Sequence, residues 1–146
     1  MIRCLVALCA ESIIRDAATN QVSAVNILDE INAQAFPILL PKLSCVFLFD
    51  RNVAEDPNEA DAAVTFALPN LQLYQGQLQL DFQGKQRLRS ILILQGFVVP
   101  TPGLIRVTVS RGGNVLASWE IPAAAIGGPQ LALPIQQPAQ PAAQGG

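Results

Sequence analysis

The fold of this chain is decided by residues 104–121, which read LIRVTVSRGGNVLASWEI. Apolar and polar side chains alternate over 104–110 and again over 115–121, a two-residue period that is typical of strands with one buried face. Gly112, Gly113 and Asn114 lie between the two runs, and these residue types tolerate the positive φ that a two-residue hairpin turn requires. The stretch therefore predicts a β-hairpin.

The rest of the chain repeats this pattern toward the N-terminus. Short apolar runs are separated by Pro, Gly, Asn and Asp, and no segment keeps a helical period for three turns. Within 71–82 the apolar side changes from odd to even positions, which predicts a bulge or a tight turn near Gln75-Gly76. Seven or eight strands joined by short turns predict an all-β, antiparallel two-sheet sandwich, with a barrel as the alternative. Besides the hairpin, strands are predicted over residues 1–10, 22–31, 43–49, 63–68, 71–82 and 87–98.

The composition changes after residue 121. Residues 122–146 contain five prolines and no charged residue, so they offer no core to pack. We therefore predict a β-sandwich domain over residues 1–121 and a disordered Pro/Ala/Gln-rich tail over residues 122–146.

The overall composition favours a protein partner. Only 14% of the 146 residues are charged and 51% are hydrophobic, which is more apolar side chain than a lone small core usually needs. The formal net charge of -2 argues against nucleic acid, and no apolar run approaches the roughly 20 residues of a membrane helix. The apolar run 4–10 is interpreted as a first strand, with an export signal as the alternative, so a cytoplasmic location with three reduced thiols is expected.

Several turn and core residues carry a family resemblance. Asp29-Glu30-Ile31 precedes Phe36-Pro37, Pro41 leads into an aromatic-rich strand, and Gly96-Phe97 and Pro102-Gly103 come before the final hairpin. In these residues the segment 1–121 resembles a bacterial family of small immunoglobulin-like β-sandwich proteins known only as a domain of unknown function. The resemblance implies an immunoglobulin-like sandwich, and it implies no activity, cofactor or functional residue.

The residue inventory argues against an enzyme. The chain contains no histidine, which excludes nucleophiles activated by imidazole and zinc sites that need it. Cys4 lies at an even position and Cys9 at an odd one, so the two side chains are predicted on opposite faces of one strand. Both are interpreted as core thiols. Asp29 and Glu30 are adjacent and cannot face each other as a glycosidase pair. We expect a non-catalytic protein without a cofactor.

Two charged clusters are candidate ligand sites. Lys85, Arg87 and Arg89 share one face at the entrance to a strand, which predicts a small anion patch, with a solvated strand end as the alternative. Five carboxylates crowd residues 50–61, where calcium chelation is the alternative to a solvated acidic loop.

Three predicted strands have apolar side chains on both faces, although one face of each sheet in a sandwich normally meets water. Val46, Leu48, Leu92 and Leu94, or the apolar residues on the opposite faces of their strands, would therefore lie exposed unless something covers them. We predict that another chain covers them, and the alternative is that loops or residues 131–135 fold over them. This pattern favours a non-catalytic interaction or structural subunit whose partner is a protein, including a second copy of itself. A small-ligand or carbohydrate-binding module is the alternative, which the single tryptophan and single tyrosine disfavour.

Overall fold

The computed structural model describes residues 1–126, which form nine strands in two packed sheets. The first sheet has the strand order β2-β1-β4-β7 and the second has the order β3-β9-β8-β5-β6. The predicted all-β sandwich is confirmed, and all strand pairs are antiparallel except β3 with β9. Over residues 1–126 there is no helix long and apolar enough to cross a membrane. The strands are β1 (Arg3–Arg15), β2 (Val22–Ile27), β3 (Ile31–Ala33), β4 (Ile38–Asp50), β5 (Glu59–Leu68), β6 (Leu71–Asp81), β7 (Arg87–Val99), β8 (Gly103–Arg111) and β9 (Asn114–Ala125).

The strand count exceeds the predicted seven or eight because the predicted strand 22–31 is divided. Asn26 has a φ of 56°, and the Leu28 N–H still donates to the Cys9 carbonyl of β1 at 2.8 Å, so the chain leaves the first sheet only after Leu28. β3 then pairs with residues 123–125 of β9 in the second sheet. β9 therefore continues to Ala125, four residues beyond the predicted end of the domain. The part of the predicted tail from residue 127 onward lies outside the described residues.

Aromatic side chains join the two sheets. Phe66 on β5 is fully buried, and its ring lies edge-on to Phe97 of β7, with 5.3 Å between ring centroids. The ring of Tyr74 packs against the Phe66 ring, with 6.1 Å between ring centroids. Burying a phenylalanine side chain stabilises a fold by roughly 1.5–3 kcal/mol, and edge-to-face pairs add about 0.5–1.5 kcal/mol each.

A bulge in β1 corrects one prediction. Cys4 pairs with Phe49 and Val6 pairs with Leu48, so Leu5 is an extra residue that shifts the side-chain alternation. Cys4 and Cys9 therefore both pack against the core, and their prediction on opposite faces was wrong. The predicted parity change in β6 is confirmed, but it occurs at Leu73, which has no partner in the pairing of β5 with β6.

The hairpin of β1 and β2 folds back over the first sheet. The pairing of β1 with β4 ends at Ala10, and a straight β1 would place Asn20 roughly 30 Å from Arg89 at the ~3.3 Å rise of a strand. Instead the Arg89 guanidinium donates to the Asn20 carbonyl at 2.6 Å. Since β4 lies between β1 and β7 and the inner face holds the core, the hairpin must cross the outer face. We call residues 11–26 the hairpin arm.

The burial of the outer face agrees with this path. Ala10, Ser44 and Val46 alternate with core residues and so point outward, yet all three are buried. On the hairpin arm, the half-buried residues Ile13, Val22 and Ala24 alternate with the exposed residues Ile14, Ser23 and Val25. The half-buried side of the arm therefore faces the sheet, and this cover belongs to the chain itself.

Candidate functional site: a cationic cleft beside the hairpin arm

The four residues predicted as a partner interface do not form one surface. Leu94 belongs to the core and Leu92 packs against it, because this part of β7 turns its even positions inward. Val46 points outward but is only 8% exposed beneath the hairpin arm, and Leu48 is half-buried. These four side chains therefore do not share one exposed surface, and the exposed apolar residues of this part of β7 lie on its opposite face, at Ile91 and Ile93.

The predicted anion patch does come together. Lys85, Arg87 and Arg89 line a cleft of about 380 Å³ between the tip of the hairpin arm, the turn from β6 to β7 and the first residues of β7. Arg15 and Asn20 form the opposite wall. The sequence does not predict that Arg15 and Asn20 belong to the cleft, because they lie some 70 residues before Lys85. The local signal of the fold-back is Asn26, since asparagine tolerates positive φ and here interrupts a strand-like run.

The tip of the hairpin arm is held by local hydrogen bonds. Asp16 accepts the Ala18 N–H on Oδ1 at 2.8 Å, and the bonds from the Ala18 and Thr19 backbone hold the pKa of this carboxyl below its usual range. Asn20 has a φ of 61°, and its side-chain oxygen accepts from Arg15 at 3.2 Å. The tip therefore presents Arg15 and the Asn20 carbonyl to the cleft in a defined geometry.

The turn from β6 to β7 presents Lys85 from the other side. Gln83 and Gly84 have φ angles of 53° and 77°, and the Gly84 N–H donates to the Asn58 side-chain oxygen at 2.6 Å. The Lys85 N–H donates to the Phe82 carbonyl at 2.9 Å. Consecutive left-handed residues make a tight turn, which brings Lys85 close to the start of β7.

A buried arginine supports this turn from within. Arg51 is 4% exposed, and it donates to the Lys85 carbonyl at 2.8 Å and to the Asp56 carbonyl at 3.0 Å. Its guanidinium carbon lies 5.3 Å from the centroid of the Phe82 ring, within the range of a cation–π contact. The position of the cleft wall therefore depends on a charged group in the protein interior.

Asp50 belongs to the predicted acidic loop and lies outside the cleft, next to Arg87. The Arg3 guanidinium donates to its carboxylate at 2.6 Å, Gln86 donates at 3.0 Å, and Arg87 lies at 3.4 Å. The hydrogen bond from Arg3 is the largest cause that holds the pKa of Asp50 below its usual range. Asp56 forms an ion pair with the Met1 amino group at 2.9 Å. In residues 1–126 no group of three or more His, Cys, Asp or Glu side chains is placed to hold a metal ion.

The cleft has an excess of positive charge. Four cations line it, at positions 15, 85, 87 and 89, against the single carboxylate of Asp81. The ion pairs found in residues 1–126 involve Arg87 but not Arg15, Lys85 or Arg89. Most guanidinium and ammonium donors of these three residues are therefore available to an anion.

The two packed sheets define a β-sandwich. Residues 5–124 match the sequence profile of the Family of unknown function (DUF6941), and the chain belongs to this family. Among solved structures, an immunoglobulin-like protein from Pseudomonas aeruginosa is 9% identical, with a TM-score of 0.42, and the match covers 85% of this chain and 97% of that one. A search of the curated proteins found no match.

Proposed function

We propose that this protein is a non-catalytic interaction subunit of a bacterial cell that binds a second copy of itself along the free edge of β7. The observation that carries the proposal is the character of this edge. In residues 1–126, β4 is the only strand paired with β7, so one side of β7 presents unpaired main-chain N–H and C=O groups. The strand is 13 residues long and has no charged residue from Ser90 to Val99.

Proteins that stay monomeric usually protect such an edge. Lysine, proline or a short strand at the edge discourages pairing with another chain. Here the charged residues Arg87 and Arg89 lie only at the first end of β7, and the following ten residues contain none. A long uncharged edge favours the addition of a strand, and antiparallel pairing of two identical edges gives a closed twofold dimer.

The side chains beside this edge are apolar and accessible. Ile93 is 52% exposed, Val98 is 48% exposed, and Leu39, which pairs with Val98, is 60% exposed. We call Leu39, Ile91, Ile93 and Val98 the β7 strip. A strand from a second copy would form hydrogen bonds with the main chain at the edge of β7, and its side chains would cover this strip. The same contact would therefore pair the free main-chain groups and bury the exposed apolar side chains.

The thiols support an intracellular location. Cys9 and Cys45 are buried with their sulfur atoms 3.1 Å apart, and both are free. Facing thiols stay reduced in the cytoplasm, whereas an oxidising compartment favours a disulfide between them.

The test is the solution mass of the full chain by light scattering over a range of concentrations. The wild type is expected to be a dimer, and Ile93→Lys is expected to be monomeric because it places a charge beside the pairing edge. Val115→Lys is the matched control, since Val115 is 63% exposed on β9 of the other sheet. A monomeric wild type at all concentrations, or equal effects of both variants, would contradict the proposal.

A further inference from the structure

We propose that the cationic cleft binds a small organic phosphate monoester, with its phosphate group between the tip of the hairpin arm and the start of β7. This inference rests on different observations from the proposed self-association, although Ile91 borders both the cleft and the β7 strip. It rests on the convergence of four cations from three separate segments: Arg15 from the hairpin arm, Lys85 from the turn, and Arg87 and Arg89 from β7.

The convergence is unexpected for an acidic chain. The protein has nine Lys and Arg residues against eleven Asp and Glu, yet four of the nine cations line this one cleft. Like charges held close together repel each other, and an anion between them relieves that repulsion. A phosphate monoester carries about -1.5 to -2 charges near pH 7 and three acceptor oxygens, which suit several cations better than one carboxylate does.

The donors are partly oriented before any ligand binds. Arg15 and Arg89 each donate one hydrogen bond to Asn20, Arg15 to its side-chain oxygen and Arg89 to its carbonyl. Each guanidinium has five N–H donors, so most remain for a ligand. Lys85 is held through its backbone by Arg51, which fixes the base of a long side chain without using its ammonium group. Such preorganisation lowers the entropy cost of binding.

The rest of the lining favours an ester over the free ion. The half-buried Leu88 and the exposed Ile91 line the same cleft beside the cations, which gives an organic group a small apolar surface. The volume of about 380 Å³ lies in the lower part of the range typical of small-molecule sites. A phosphate group fills a small part of this space, and the remainder fits a small organic substituent.

The first experiment is titration of the full chain with phenyl phosphate, inorganic phosphate and benzoate at matched ionic strength, followed by calorimetry. Saturable binding of phenyl phosphate, tighter than that of inorganic phosphate, is expected, with benzoate at least tenfold weaker. At ten times its Kd, phenyl phosphate should raise the Tm by about 4–8 °C. Tighter binding of inorganic phosphate would overturn the assignment to an ester, and equal binding of benzoate would overturn the assignment to phosphate.

Variants locate the site. Lys85→Gln should raise the Kd for phenyl phosphate about tenfold, because a charged hydrogen bond is lost. Asp81→Asn should lower the Kd about threefold, because it removes the one carboxylate of the cleft while its oxygen can still accept the Gln83 N–H. Arg106→Gln is the control, since Arg106 is paired with Glu120 outside the cleft. An unchanged Kd in both Lys85→Gln and Asp81→Asn would refute the proposal, whereas Ile93→Lys should bind phenyl phosphate normally.

Discussion

Replacing Asn26 by valine tests the bend that folds the hairpin arm over the first sheet. Asn26 has a φ of 56°, in the left-handed region where a β-branched side chain clashes with its own backbone. This conformation costs an ordinary residue about 1–2 kcal/mol, whereas asparagine and glycine tolerate it. Asn26→Val should therefore lower the free energy of unfolding by about 1–2 kcal/mol, which corresponds to a fall in Tm of roughly 3–10 °C for a domain of this size. Asn26→Gly should change it by less than about 1 kcal/mol.

The measurement is urea unfolding of both variants beside Asn32→Val. Asn32 is a matched control because its side chain also donates one exposed hydrogen bond, to Glu30 at 3.2 Å, as Asn26 does to Glu11 at 3.3 Å. Asn32 lies in β3 and is not among the positive-φ residues, so valine suits its conformation. If Asn26→Val and Asn32→Val reduce stability equally, the left-handed backbone at Asn26 is not what shapes the bend.

Three further outcomes are expected. Phe66→Ala should cost about 4–5 kcal/mol in urea unfolding, because the buried ring contacts both sheets, and a loss below about 2 kcal/mol would contradict its role in joining them. Since the pKa of Asp50 is lowered in the folded state, its contribution to stability is present above the usual carboxyl pKa of about 3.9 and is lost as the pH falls through the folded pKa. Asp50→Asn should therefore flatten the acid side of the stability profile, and an unchanged slope there would argue against the Arg3 contact. Thiol titration of the native protein should modify only Cys4, slowly because burial raises its pKa, and all three cysteines in denaturant; rapid native reaction of all three would contradict the burial of the other two.

Local sequence patterns predict the parts of this fold that depend on near neighbours. The final hairpin is an example, because Gly112 and Gly113 both have positive φ and join β8 to β9 by a two-residue turn, as the sequence predicts. The change of parity in β6 was also predicted, since it leaves a direct trace in the order of apolar residues. Positions of bulges are harder: the extra residue Leu5 in β1 leaves no such trace between Cys4 and Val6.

Half of the candidate site was predictable for the same reason. Lys85, Arg87 and Arg89 are near neighbours in sequence, so their common location follows from the period of a strand. Arg15 joins them only because the hairpin arm crosses β4, and that path depends on long-range packing. The orientation of β7 could not be predicted for a related reason, since two-sided apolarity does not reveal which side of the strand faces the core. Leu92 and Leu94 turned out to be the inner side.

The parallel pairing of β3 with β9 has a consequence for synthesis of the chain. Ala33 leaves the ribosome about 90 residues before Ala123, the first of the three residues of β9 that pair with β3. At translation rates of about 5–20 residues per second, β3 is synthesised roughly 5–18 s before the residues of β9 that pair with it. During that interval its main-chain groups are open to other chains, so β3 takes its place in the second sheet only after the last few residues of β9 have been made. Ribosome-bound chains that end before residue 123 are therefore expected to expose a binding site for chaperones at β3.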